Sequence, residues 1–142
     1  MRTNPGGYRT FDHTADIGLE AWGPTLAEAL RAAADGLQAL LVRAGPVRER
    51  VRRKFNVRAP DVAALTVAWL NELIFAFDVD FLVFRRFEVR AAAPTELTAL
   101  GYGETVDRSR HQVGTAVKAA TYHDLVVAVD PATTRIRVVL DV

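Results

Sequence analysis

Asp61-Val62-Ala63-Ala64-Leu65-Thr66-Val67-Ala68-Trp69-Leu70-Asn71-Glu72-Leu73-Ile74-Phe75-Ala76-Phe77 is the stretch on which the fold turns. Leu65, Trp69, Leu73 and Phe77 recur every four residues, with Ala68 and Ile74 beside them. That is helical spacing, and so apolar a helix has to be buried. Pro60-Asp61 marks its start, so the pattern predicts a central core helix over 62–77. Upstream, Thr25 is followed three residues later by Glu28, a capping-box pattern. Leu26, Leu30, Ala33, Leu37, Leu40 and Leu41 then fall at helical intervals, predicting a second helix over 26–42.

Almost everything else reads as strand. Tyr8 to Phe11 opens one, and Ile17, Leu19 and Ala21 alternate with Gly18, Glu20 and Trp22 in another. Val47, Val51, Phe55 and Val57 have mostly basic residues between them, the pattern of a strand with one wet face. Further candidates are 84–92, 96–103, 115–121, 125–129 and 136–140, with Asp130 to Thr134 as a hairpin loop between the last two. Two helices among seven or eight strands with short turns predict an α+β fold. The sheet is expected to be largely antiparallel or mixed, with both helices packed on one side of it. Residues 1–7 read as a loose tail and 8–142 as one domain.

The 142 residues, half hydrophobic and a quarter charged, suit a globular domain that needs no disulfide or metal to fold. The chain has no cysteine, which excludes thiolate metal sites and cysteine nucleophiles. The N-terminus lacks the apolar segment of a signal peptide, and no uninterrupted apolar run reaches the length of a membrane span. A cytoplasmic protein is expected. Net charge is only +1, yet Arg48, Arg50, Arg52, Arg53, Lys54 and Arg58 lie close together. They are either a solvated sheet face or a surface for RNA phosphates. Phosphate-loop, dinucleotide and serine-elbow motifs are absent, and His13, His111 and His123 are too far apart in sequence to form a metal-spacing motif.

Three clusters carry possible chemistry. Asp12-His13-Thr14-Ala15-Asp16 is polar between apolar strands. It is either a turn with locally satisfied side chains or a place where carboxylates beside an imidazole hold a divalent cation. Val138-Val139-Leu140-Asp141-Val142 is an apolar strand that must be docked. Docking sets the Asp141 side chain beside the Val142 carboxylate: this is either a solvated chain end or two anions that repel unless protonated or sharing a cation. Lys118 lies in the small, apolar segment 114–121, and its ammonium either reaches water or pairs with an acidic partner or a phosphate.

Taken in order, these clusters resemble the archease family. The likeness rests on Asp12-His13-Thr14-Ala15-Asp16, Leu19, Trp22-Gly23 and the Thr25-to-Ala29 helix start. It continues through Trp69-Leu70-Asn71-Glu72-Leu73, Phe84 to Val89, Gly103-Glu104 and His111. Val117-Lys118-Ala119, Thr121-Tyr122-His123 and the terminal Asp141-Val142 complete it, so it covers the chain from about Tyr8 to Val142. The resemblance implies a non-catalytic partner of the RtcB-type, GTP-dependent tRNA-splicing ligase, one that promotes guanylylation and repeated turnover. It implies a divalent cation, calcium with magnesium or manganese as alternatives, held by Asp16, Asp141 and Val142. It also implies Lys118, with His13 of the opening motif, as the residues of partner activation, and RNA met only through the ligase complex. Competing expectations are a metal-dependent phosphoesterase using Asp16 and Asp141, and an RNA-binding, chaperone-like module using the arginine-rich strand.

Overall fold

A computed structural model describes residues 6–13 and 15–142; residues 1–5 of the expected tail, and Thr14, lie outside the described residues. The elements run β1 (Gly7–His13), β2 (Asp16–Gly23), α1 (Leu26–Leu41), β3 (Val42–Ala44), β4 (Val51–Arg58) and α2 (Val62–Asp80). They continue β5 (Leu82–Ala93), β6 (Glu96–Thr105), β7 (Gln112–Val113), β8 (Ala119–Ala120), β9 (Val126–Val129) and β10 (Thr134–Asp141). One sheet has the order β1-β2-β10-β8, with β9 also paired to β10; a second has the order β4-β6-β5; β3 and β7 form a small pair. Every strand pairing among the described residues is antiparallel, so the α+β class holds.

The helices start where the sequence places them. The Glu28 N–H donates to the Thr25 hydroxyl at 3.2 Å, one half of the capping box. The Glu28 carboxylate turns instead to Arg31, at 2.6 Å. The Asp61 carboxylate caps α2 by accepting from the Ala64 N–H at 2.8 Å. Helix α2 runs three residues past its predicted end and stops at Phe81, which takes a left-handed φ of 57°.

The helices do not lie on one side of a single sheet. Helix α1 packs on β1, β2 and β10 and also on β5, while α2 meets β4, β5 and β6 and also β8 and β9. Each helix therefore touches both sheets. The leucine stripe of α1 hid this, because its second buried face is made of Ala29, Ala32, Ala33 and Gly36, small residues that permit close approach. Trp69 is fully buried at the centre; its indole N–H donates to the Leu30 carbonyl at 3.0 Å, and its ring meets Phe55 and Phe87 edge-on. Trp22, on the opposite face of β2 from Leu19 and Ala21, is only half-buried. Helix α2 is long and apolar enough by composition to cross a bilayer, yet Leu65, Trp69, Leu70 and Leu73 are sealed inside the domain, as in a core helix.

Two strands are shorter than predicted. Val47 to Arg50 precede the β4 ladder, where the Arg48 N–H donates to the Glu104 carboxylate at 2.7 Å. In the 115–121 segment only Ala119 and Ala120 join the ladder. The Gly114 and Thr115 N–H groups go to the Leu41 and Leu40 carbonyls, satisfying the open end of α1.

Candidate metal and partner site

The chain end and the first hairpin meet at one end of the five-stranded sheet. In the hairpin the register closes on His13 opposite Asp16, and Ala15 in the turn takes a left-handed φ of 61°. Strand β10 pairs with β2 on its other side, the register ending at Leu140 opposite Ile17. One residue further along that register, Asp141 comes level with Asp16. Opposite residues of antiparallel strands project from the same face, so two carboxylate-bearing positions sit on neighbouring strand ends. The apolar terminus is docked as expected: Val138, Val139 and Leu140 are buried, and Val142 packs against the core.

Lys118 is tied to the same place through its backbone. Its N–H donates to the Asp141 carbonyl at 2.7 Å, and Ala119 pairs with Asp141. The Ala120 N–H donates to the Asn71 side-chain oxygen at 2.8 Å, so α2 anchors the short β8. The Thr121 N–H and hydroxyl both donate to the Val139 carbonyl, at 3.0 and 2.8 Å. Asn71 and Thr121 thus fix the segment that presents Lys118. Sequence reading noted both only as motif letters; each is a short polar residue at an apolar junction.

Asp16 has its side chain 29% exposed, and the His13 Nδ1 lies 4.0 Å from its carboxylate. Among the described residues neither Asp16 nor Asp141 forms an ion pair with an arginine or lysine, and Lys118 has no carboxylate partner. Oxygen is the preferred donor of a hard divalent cation, and Asp16 and Asp141 would each offer carboxylate oxygens to one.

The histidines correct the sequence expectation. Sequence distance kept His13 and His123 apart; the fold brings them together around Asp124. The His13 Nε2 and the His123 Nε2 each lie 3.3 Å from the same Asp124 oxygen, Oδ2. The two rings meet edge-on with centroids 5.4 Å apart. Asp124 sits in the loop between β8 and β9 with a left-handed φ of 52°. Nothing in the sequence pattern pointed to Asp124.

The third histidine is separate and structural. His111 is buried, with its Nε2 at 3.1 Å from the Pro46 carbonyl and 3.2 Å from the Glu104 carboxylate. Arg110 forks onto Glu104 and Asp107. The Arg110 guanidinium holds the Glu104 carboxyl down at about 2, helped by the Arg48 backbone N–H and His111. The arginine-rich stretch divides. Arg53 pairs with Asp80 and Arg58 with Glu96, while Arg48, Arg50, Arg52 and Lys54 are exposed and free of ion pairs among the described residues.

The family model described as "Archease protein family (MTH1598/TM1083)" matches residues 8–142. The archease of Pyrococcus abyssi is 37% identical over 118 residues, covering 81% of this chain and 83% of the relative. That of Sulfolobus acidocaldarius is 31% identical over 136 residues, covering 95% and 98%. The solution structure of Methanobacterium thermoautotrophicum protein 1598 superposes with a TM-score of 0.77 at 28% identity, covering 96% of this chain and 99% of that one. A Thermotoga maritima crystal structure, described as an archease and possible chaperone, shares the fold at a TM-score of 0.60 and 17% identity, covering 100% and 98%. Sequence, coverage and fold agree: this chain belongs to the archease family.

Proposed function

We propose that this chain is a non-catalytic activator of a GTP-dependent RNA ligase of the RtcB type, serving tRNA splicing in the cytoplasm. It works from a divalent-cation site made by Asp16, Asp141 and the Val142 carboxylate. Family membership supports the accessory role. The observation that carries the site is the pair of carboxylate positions on neighbouring ends of β2 and β10, free of arginine and lysine partners among the described residues, with Lys118 tied to Asp141 through its backbone.

Oxygen donors, in a chain with no cysteine, select calcium, with magnesium or manganese as alternatives. When bound, the cation supplies a positive centre for carboxylate or phosphate oxygens of the partner. The chain's own residues do the rest. Asp16 and Asp141 hold the ion, Asn71 and Thr121 keep β8 in register, and Lys118 presents an exposed ammonium beside the site. His13 stands next to Asp16 on the same rim. RNA is reached through the ligase complex.

The test is ligation by a cognate ligase limited to a single turnover. Adding this protein in substoichiometric amounts should give many turnovers. Unchanged turnover over a wide range of protein concentration would refute the accessory role.

A further inference from the structure

Beside the oxygen site lies a second group of donors of different chemistry. We infer that the His13 Nε2, the His123 Nε2 and the Asp124 Oδ2 form a separate site for a borderline divalent ion, zinc or its spectroscopic stand-in cobalt. This does not depend on the accessory-factor reading, because it concerns metal binding by the isolated chain.

The geometry is that of an incomplete tetrahedron. Bonds of about 2.0–2.2 Å from zinc to nitrogen and oxygen put tetrahedral ligand atoms roughly 3.3 Å apart. Two of the three edges here, His13 Nε2 to Asp124 Oδ2 and His123 Nε2 to Asp124 Oδ2, are each 3.3 Å. All three donor atoms lie within 4.8 Å of one another. The His123 side chain is 64% exposed, so its ring is free to turn toward the His13 Nε2, with a fourth position left for water.

The ring of His13 is prepared for this role. Its Nδ1 is buried with no hydrogen-bond partner among the described residues, and the Asp16 Oδ2 lies 4.0 Å away. A proton held at Nδ1 on the carboxylate side leaves the Nε2 lone pair directed at the Asp124 end. Closing the 4.0 Å gap to Asp16 would give the carboxylate–histidine–metal order in which an outer carboxylate sets the tautomer. Two imidazoles and one carboxylate suit zinc or cobalt better than calcium, which prefers oxygen throughout. Asp16 then borders both sites: an oxygen ligand on one side, an orienting group for His13 on the other.

The experiment uses untagged full-length protein stripped with a chelator. It is titrated with Co²⁺ and Zn²⁺, followed by visible absorption and calorimetry, with Ca²⁺ titrated separately. The wild-type chain should take one Co²⁺ with the intense visible bands of a tetrahedral site, and Zn²⁺ should displace it. His123→Ala and Asp124→Ala should each weaken Zn²⁺ binding by at least the roughly 10–100-fold that losing even an outer-shell partner costs. Both positions are exposed, so His123→Ala should keep the wild-type melting profile, Asp124→Ala should melt slightly lower because alanine fits the left-handed φ of 52° less well, and both should keep the Ca²⁺ affinity. Asp141→Ala should lose Ca²⁺ while keeping Zn²⁺. The inference is overturned if the wild-type chain binds no Zn²⁺, or if His123→Ala and Asp124→Ala bind it as the wild type does. Loss of Zn²⁺ together with Ca²⁺ in Asp141→Ala would also overturn it, since that result means one shared oxygen site.

Discussion

Lys118 owes its place to its backbone and its freedom to its side chain. The N–H is fixed on the Asp141 carbonyl, while the ammonium is exposed and unpaired among the described residues. Removing the ammonium therefore takes nothing from the core. Lys118→Ala should change unfolding free energy by no more than about 0.5 kcal/mol, as exposed substitutions do, yet weaken ligase activation. Thermal melts beside a turnover assay check this, and full activation by a folded variant would return Lys118 to an ordinary surface lysine. Asp35 on α1 is the opposite case. Burial lifts its carboxyl to about 6, against the pull of Arg31 and with a push from Glu28. A raised carboxyl binds its proton more tightly in the folded chain. Its contribution to stability is thus complete below about pH 4 and lost as pH rises through about 6. Asn imitates the protonated form. Asp35→Asn should match the wild type near pH 3 and exceed it at pH 7 by about 1 kcal/mol, after discounting for partial exposure. Denaturant titrations at the two pH values read the difference directly, and a gap of equal size at both would refute the assigned cause.

At the scale of the element, α2 organises both the core and the site. Leu73 is fully buried between the sheets, and two residues before it Asn71 holds β8. Leu73→Ala should cost about 2–5 kcal/mol by leaving a cavity, measured by chemical denaturation, and a loss below 1 kcal/mol would contradict its central place. Both helices were legible from a spacing of three and four because apolar periodicity depends only on local geometry. Strand β8 was not. The sequence from Thr115 looks like a strand, but the N–H groups of Thr115 and of Gly114 before it are claimed by the end of α1, a tertiary demand that no local pattern encodes. The candidate site divides in the same way. Asp16, Asp141 and Lys118 stood out as polar residues in apolar surroundings. Asp124 did not, because its meeting with His13 spans 111 positions and is made by a loop residue of ordinary type.

At the scale of the molecule, helices in contact with both antiparallel sheets bridge them, and the candidate site lies at strand ends of one sheet. The free cations Arg48, Arg50, Arg52 and Lys54 lie on and before β4, in the other sheet from Asp16 and Asp141. The candidate cation site and the basic strand therefore lie on different sheets. The central claim is that activation runs through a cation held at the end of β10. Multiple-turnover ligation tests it most directly, run with the wild-type chain and with one extended by a short tag beyond Val142. The extension moves the terminal carboxylate away while leaving Asp16, Asp141 and the core in place. The account predicts a folded protein that no longer activates, matching Asp16→Ala and Asp141→Ala. Undiminished turnover with the extended chain would contradict it.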